Sequence, residues 1–391
     1  MYIAPRLQDM QRSGIREIGE LAGRLDDVVR LEIGEPDLDT PPHIIEAAHD
    51  AASRGMTHYA PNTGLPELRE ALADKVTSVN GVAAGPDDVI VTNGAVQGLF
   101  SVLTSIVSRG DDVLLPNPGW PNYRMMADIL GIEARGYRID VLTGQPDLDH
   151  LASLVTPRTR ALVLNSPSNP LGTVIEAAGL AALHAFAEHH DLWIVSDEVY
   201  DQLVFTGEHT AAGSLEARPE RVISVYSFSK TYAMTGWRVG YVVSPPALHP
   251  TLAKLQEPII SCVNTPAQFA ALAALTGPQE CVRVGVETYR ERARSVGGML
   301  GDAGIGYTEP AGGFYLWLDV GERNGQEVAR ALVAHHGVAV APGPTFGSAG
   351  RHAIRVALAN SDLELTRGVQ RLVGSGLLPG REQGNRGVLA R

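Results

Sequence analysis

Through the middle of the chain, short apolar runs rich in branched residues alternate with stretches of Ala, Leu and Glu, and this alternation constrains the fold more than any other feature. Such runs suit strands buried on both faces, and the intervening stretches suit helices. The rhythm is therefore that of an α/β protein with a mostly parallel sheet. Strands are expected at 88–92, 112–115, 160–164, 192–196, 221–226 and 240–243, with helices at 95–108 and 177–190. After a break at Gly277-Pro278, a charged stretch at 280–300 reads as a helix, and 312–319 and 353–358 read as strands of a second lobe. A chain of 391 residues commonly divides into two lobes. The expected division is a large lobe over 40–278 and a small lobe made of 1–39 and 279–391, the first segment packing on the second. Residues 374–391, rich in Gly and Arg, are expected to form a loosely ordered tail.

A formal net charge of -12 argues against a general nucleic-acid or anionic-membrane binder, since both need a basic face. Small molecules are the expected partners. No segment is long and apolar enough to read as a bilayer span. Arg6, Asp9, Arg12, Arg16, Glu17 and Glu20 fall where a signal peptide needs an uninterrupted apolar stretch, so a cytoplasmic location is expected. Cys262 and Cys281 have no metal-ligand spacing and read as small core residues. The pairs His189-His190 and His335-His336 lack a third ligand nearby and read as surface pairs on helices, so no metal is expected.

Nearly every expected strand of the large lobe ends in a small, polar or reactive cluster. In open α/β sheets ligands bind outside the carboxyl ends of the strands, so these clusters should converge. Asn93-Gly94-Ala95-Val96 is either an ordinary strand-to-helix turn or an anion site at a positive helix end. Asn165-Ser166-Pro167-Ser168-Asn169-Pro170 is an irregular loop that presents Asn169. Asp197, in Ser196-Asp197-Glu198-Val199-Tyr200, either caps the following segment or pairs with something cationic such as a protonated ring nitrogen. Ser227-Phe228-Ser229-Lys230 places a lysine at a strand end, where a lowered pKa makes an amine nucleophile. Arg238, eight residues later, offers a planar fork suited to phosphate.

Taken together these strings resemble the class I/II aminotransferases, fold-type I pyridoxal-phosphate enzymes of the aspartate aminotransferase kind. The resemblance runs from about residue 31 to 359. Its most specific part is Ser227 to Tyr241, read as Ser-Phe-Ser-Lys-Thr-Tyr-Ala-Met-Thr-Gly-Trp-Arg-Val-Gly-Tyr, supported by Asn-Pro-Leu-Gly from Asn169, Asp-Glu-Val-Tyr from Asp197 and His-Tyr-Ala-Pro-Asn-Thr-Gly from His58. It implies a mostly parallel seven-stranded sheet flanked by helices, with a smaller α/β lobe built from the N-terminal segment and the C-terminal part. It further implies that Lys230 holds pyridoxal 5'-phosphate as an internal aldimine and later acts as the general base, and that Asp197 keeps the pyridine nitrogen protonated. Asn169 and Tyr200 match the pair that bonds the phenolic oxygen, and Trp120 matches the aromatic stacked on the ring; otherwise Trp120 reads as a core residue. Gly94, Ala95, Ser227 and Arg238 match the phosphate cup by the same comparison, and Val96 and Ser229 are further cofactor-binding positions. Tyr59 matches a residue reaching the neighbouring subunit's phosphate, which implies a homodimer with shared active sites. Arg355 resembles the clamp on the substrate α-carboxylate, with Gly34, Trp120 and Asn169 beside the substrate. Without the resemblance, Arg355 would read as a surface-paired strand residue.

The reaction implied is ping-pong transfer of an amino group from an L-amino acid to a 2-oxo acid, 2-oxoglutarate by family habit. Two departures leave the donor open. Val96 stands where one bacterial branch of aspartate aminotransferases has a side-chain-reading lysine, and 259–266 lacks the arginine of the other branch. A carbon–sulfur β-lyase and a non-catalytic cofactor-binding regulator remain alternatives. A nicotinamide dehydrogenase is disfavoured, because no Gly-x-Gly-x-x-Gly turn follows an early strand.

Overall fold

The computed structural model describes residues 5–8, 10, 12–217 and 219–380. Along the chain its strands are β1 (Val29–Arg30), β2 (Val89–Thr92), β3 (Asp112–Asn117), β4 (Glu133–Arg138), β5 (Thr159–Asn165), β6 (Trp193–Asp197), β7 (Val222–Ser227), β8 (Gly240–Val243), β9 (Tyr307–Thr308), β10 (Tyr315–Asp319), β11 (Val338–Ala339), β12 (Ala341–Pro342) and β13 (Ala353–Ala357). Seven of them form one sheet in the order β2-β8-β7-β6-β5-β3-β4. Strand β8 runs antiparallel to both neighbours, and the remaining pairs are parallel. This is the mostly parallel seven-stranded α/β sheet that the sequence implied.

Side chains alternate across that sheet and feed a core on each face. Val113, Leu115, Ala161 and Val163 point into one cluster with Leu99 and Val102 of the helix Gly94–Ile106. Leu114, Leu162 and Leu164 point into another, with Leu180 and Leu183 of the helix Ala177–His189. Every residue of β2, β7 and β8 is buried, and these strands are mostly apolar. Strand β4 was not expected from the sequence. It lies at the sheet edge, and only Ala134 and Tyr137 of its six residues are buried, so it carries no such run.

A second, antiparallel sheet has the order β12-β13-β10-β9, and β1 pairs in parallel with β11. One hydrophobic cluster joins Ile18 and Ala22 of the helix Gly14–Ala22 and Val29 and Leu31 of the following segment to Leu316, Leu318, Ile354 and Val356. The first segment is thereby tied to the C-terminal strands.

Three expectations need correction. Residues 312–314 are not strand: Gly313 adopts a left-handed backbone, and β10 begins only at Tyr315. The expected loose tail is ordered at its start, because Gly374 closes the helix Asp362–Gly374 and Leu378 packs into the hydrophobic cluster; residues 381–391 lie outside the described residues. Cys262 and Cys281 are half-buried rather than core residues, Cys281 lying at the margin of a hydrophobic cluster. Among the described residues no helix is long and apolar enough to cross a membrane.

Candidate active site

Strands β5, β6 and β7 end at Asn165, Asp197 and Ser227, and the chain leaves the sheet at these three points on the same side. A cavity of about 670 Å³ opens there, enough for a cofactor and a small substrate together. All three strand ends line it, as do Lys230, Arg238 and Arg355.

Lys230 sits in a four-residue helix, Phe228–Thr231, that begins directly after β7. The Ser227 hydroxyl caps this helix by accepting from the Ser229 N–H at 3.1 Å. The lysine Nζ donates to the Gly34 carbonyl at 2.7 Å. Burial lowers the pKa of this amine to about 8; the carboxylate of Glu35 opposes the shift, and the charges of Arg355 and Arg238 reinforce it. Asp197 is buried at the end of β6 and accepts from the Tyr123 hydroxyl at 2.5 Å. Burial pushes its carboxyl up to about 6, although the bond from Tyr123 pulls the other way. Among the described residues no cation pairs with it. A buried carboxylate without a cation is costly, and a protonated ring nitrogen is the kind of ligand group that would relieve it.

At another wall, the helix Gly94–Ile106 presents its N-terminus to Arg238. Gly94 has φ +72°, and a Cβ there would lie 2.2 Å from Arg238 Nη2. Only glycine lets the guanidinium and the helix start come this close, which produces a cationic cradle for an anion. Arg238 itself has φ 57° and donates to the Thr235 carbonyl at 2.8 Å. Ala95, Val96, Ser227 and Ser229 line the same cavity.

Arg355, on β13, is 2% exposed. Its Nη1 donates to Asn169 Oδ1 at 2.9 Å and its Nη2 to the Glu32 carbonyl at 2.6 Å, while its Nε has no protein partner. The guanidinium lies over the ring of Tyr315, 4.2 Å from its centroid. Tyr315 in turn shares a 2.8 Å hydrogen bond with Tyr200 through the two hydroxyls. Gly34 passes so near Tyr315 that a Cβ would lie 1.9 Å from its hydroxyl. Arg355 lines the cavity with its guanidinium anchored from two sides, an arrangement suited to a carboxylate.

A family model described as aminotransferase class I and II matches residues 26–372. The chain belongs to the class I and II aminotransferases. It is 37% identical to a probable aspartate aminotransferase of Methanocaldococcus jannaschii over 376 residues, covering 94% of this chain and 98% of the relative. It is 39% identical to an aspartate/prephenate aminotransferase of Thermus thermophilus, covering 88% and 90% of the two chains. A solved Thermus thermophilus aspartate aminotransferase with maleate superposes with a TM-score of 0.90 at 36% identity, covering 96% of this chain and 99% of that one.

Of the residues singled out for an aminotransferase site, Gly34, Ala95, Val96, Trp120, Asn169, Asp197, Tyr200, Ser227, Ser229, Lys230, Arg238 and Arg355 share the one cavity, and Gly94 abuts Arg238 behind it. Tyr59 does not join them; it is 87% exposed. Trp120 is half-buried at the start of the helix Pro121–Leu130 and packs edge-on against Tyr123. Sequence reasoning missed Tyr123 and Tyr315, the partners of Asp197 and Tyr200. The spacing of Tyr123 from Trp120 offered a signal: three residues on, at the start of a helix, it points to the same side. It also missed the cavity's mouth, where Arg12, Arg16, Glu20, Arg30 and Glu32 face inward.

Proposed function

We propose that this aminotransferase works with pyridoxal phosphate and passes an amino group from an L-amino acid to a 2-oxo acid, 2-oxoglutarate included, in two ping-pong halves. The observation that carries the reading is the convergence on one cavity of a lysine with a lowered pKa, a buried carboxylate lacking a cation, and two arginines held at separate walls. These groups fit the cofactor. Arg238 and the helix start at Gly94 suit its phosphate, and Asp197 suits its ring nitrogen. When bound, pyridoxal phosphate supplies an aldehyde that condenses with amines and a protonated ring that withdraws electrons from the substrate α-carbon.

In this reading Arg355, anchored in the cavity wall, grips the α-carboxylate and fixes the α-carbon before Lys230. The Lys230 amine, free to lose its proton near pH 8, takes the α-proton onto Nζ and returns it one position away. Asp197 stays ionised once it faces a cation, and so holds the ring-nitrogen proton in place. Tyr200, Asn169 and Trp120 would hold the ring, and the tyrosine remains protonated because burial holds its pKa well above the ordinary value.

The same reading includes a cytoplasmic homodimer in which the partner subunit's Tyr59 completes the phosphate cup. The high exposure of this chain's own Tyr59 supports that arrangement. It also includes two lobes, 40–278 against 1–39 with 279–391, the first carrying Lys230 and the second Arg355. Relatives named as aspartate aminotransferases support a dicarboxylic partner.

Steady-state kinetics test the two-half scheme. Initial rates with the donor varied at several fixed concentrations of 2-oxoglutarate should give parallel double-reciprocal lines, whereas intersecting lines would require both substrates to be bound at once.

A further inference from the structure

Transfer at the α-carbon makes no use of the charge at the mouth of the cavity. Three arginines, Arg12, Arg16 and Arg30, lie there with three glutamates, Glu20, Glu32 and Glu35. The arginines are held differently. Arg12 pairs with Glu20 at 2.6 Å, but both side chains are more than half exposed, and such pairs are weak. Arg16 is exposed on its helix. Arg30 Nε donates to Glu32 Oε1 at 2.5 Å, and its Nη2 lies 2.5 Å from the same oxygen.

The Glu32 side chain is fully buried, whereas that of Arg30 is 39% exposed. A buried carboxylate holds its cation firmly, since losing it would leave an uncompensated charge. Glu32 therefore pins the guanidinium at the cavity wall, with Nη1 outside the pair. Gly19 leaves the room above it, for a Cβ there would stand 3.2 Å from Arg30 Nη2. The backbone of Glu32 meanwhile accepts from Arg355 at 2.6 Å. One residue thus sets the position of two arginines, Arg355 through its carbonyl and Arg30 through its carboxylate.

We infer that Arg30 is the specificity-determining residue that takes the distal carboxylate of a dicarboxylic amino or 2-oxo acid, and that Glu32 is its positioning residue. This rests on the reading in which Arg355 takes the α-carboxylate. The pinned guanidinium still has N–H groups on the edge away from Glu32, and a carboxylate meets that edge with charge-assisted bonds.

The test uses the holoenzyme and variants that keep Glu32 satisfied. In Arg30→Gln, which retains a donor to Glu32, the ratio of kcat/KM for glutamate to that for alanine should fall roughly 30-fold, the size of a lost hydrogen bond to a charged group. Arg30→Lys should restore part of that ratio. Glu32→Gln should lower it less, because it loosens Arg30 without removing it. An unchanged ratio in Arg30→Gln, an equal fall for both donors, or a fall produced by Arg16→Gln in its place would each overturn the assignment. Binding of maleate, measured by calorimetry, separates this inference from its parent. If the wild-type enzyme transfers no amino group, the aminotransferase mechanism fails, yet Arg30→Gln must still weaken maleate roughly 30-fold for Arg30 to stand.

Discussion

Replacing Lys230 by alanine is expected to lower kcat/KM for amino transfer by at least about 10⁴-fold, the upper range for loss of a positioned general base. The protein should still fold and still bind pyridoxal phosphate, because Arg238, Gly94 and Asp197 are untouched. Lys230→Arg separates the two things the lysine supplies. It keeps the positive charge, but a guanidinium cannot give up its proton at working pH, so it should be as inactive as alanine. A variant that retained substantial activity with arginine would show that charge, rather than a removable proton, is what the position provides. The pH dependence has a definite sign. The folded-state pKa of Lys230 is lowered from 10.5 to about 8, so the unfolded chain binds more protons between those values. The lysine's contribution to the stability of the cofactor-free protein therefore improves as pH rises from 8 to 10.5 and is unfavourable below pH 8. Lys230→Ala should accordingly melt higher than wild type at neutral pH, and this advantage should shrink toward pH 10.5.

The second large effect is expected from Asp197→Asn, which should reduce kcat by roughly 10³-fold, about 4 kcal/mol of barrier, while stabilising the cofactor-free protein. Asparagine can still accept from Tyr123, so packing is preserved, but it cannot hold a proton on the ring nitrogen. The folded-state pKa of Asp197 is raised from 3.8 to about 6. Between these values the folded protein binds more protons than the unfolded chain, so stability falls as pH rises through that window, and the penalty is complete above pH 6. The shift corresponds to a penalty on the order of 3 kcal/mol, which asparagine abolishes. Melting curves of the cofactor-free proteins at pH 4 and pH 8 check this: the variant should gain over wild type at pH 8 and match it at pH 4. A lower melting temperature at pH 8 would mean that the carboxylate is already compensated by a protein group.

Both predictions concern residues that could be read from the sequence, and the reason is physical. Strands β5, β6 and β7 lie inside the sheet, so their buried faces produce apolar runs whose ends are conspicuous, and Asp197 and Lys230 stand at or just after those ends. Arg355 was less visible. Its strand is apolar on both sides, and nothing local distinguishes a clamp from a surface charge; the assignment came from the resemblance, and the burial comes from contacts with residues 169 and 32, far away in the chain. Strand β4 was hidden because it buries only Ala134 and Tyr137, too few residues to make a run. Arg30 and Glu32 were hidden for a different reason. Arg30 ends the two-residue strand β1 and Glu32 follows it, a stretch too short for any periodicity, and their meaning depends on the helix Gly14–Ala22 and on β13 closing around them. Tyr315 was obscured by Gly312 and Gly313, which turn the chain immediately before it.

The central claim is that Lys230 and Asp197 serve a reaction that stops after one half when no acceptor is present. Purified protein saturated with pyridoxal phosphate and mixed with glutamate alone, without any 2-oxo acid, tests this directly through product stoichiometry and the absorbance of the bound cofactor. The account predicts one equivalent of 2-oxo acid per Lys230, loss of the visible band, and then no further product until an acceptor is added. Absence of any change with every donor tried, or continuing release of ammonia and pyruvate from a cysteine-type substrate without an acceptor, would contradict it.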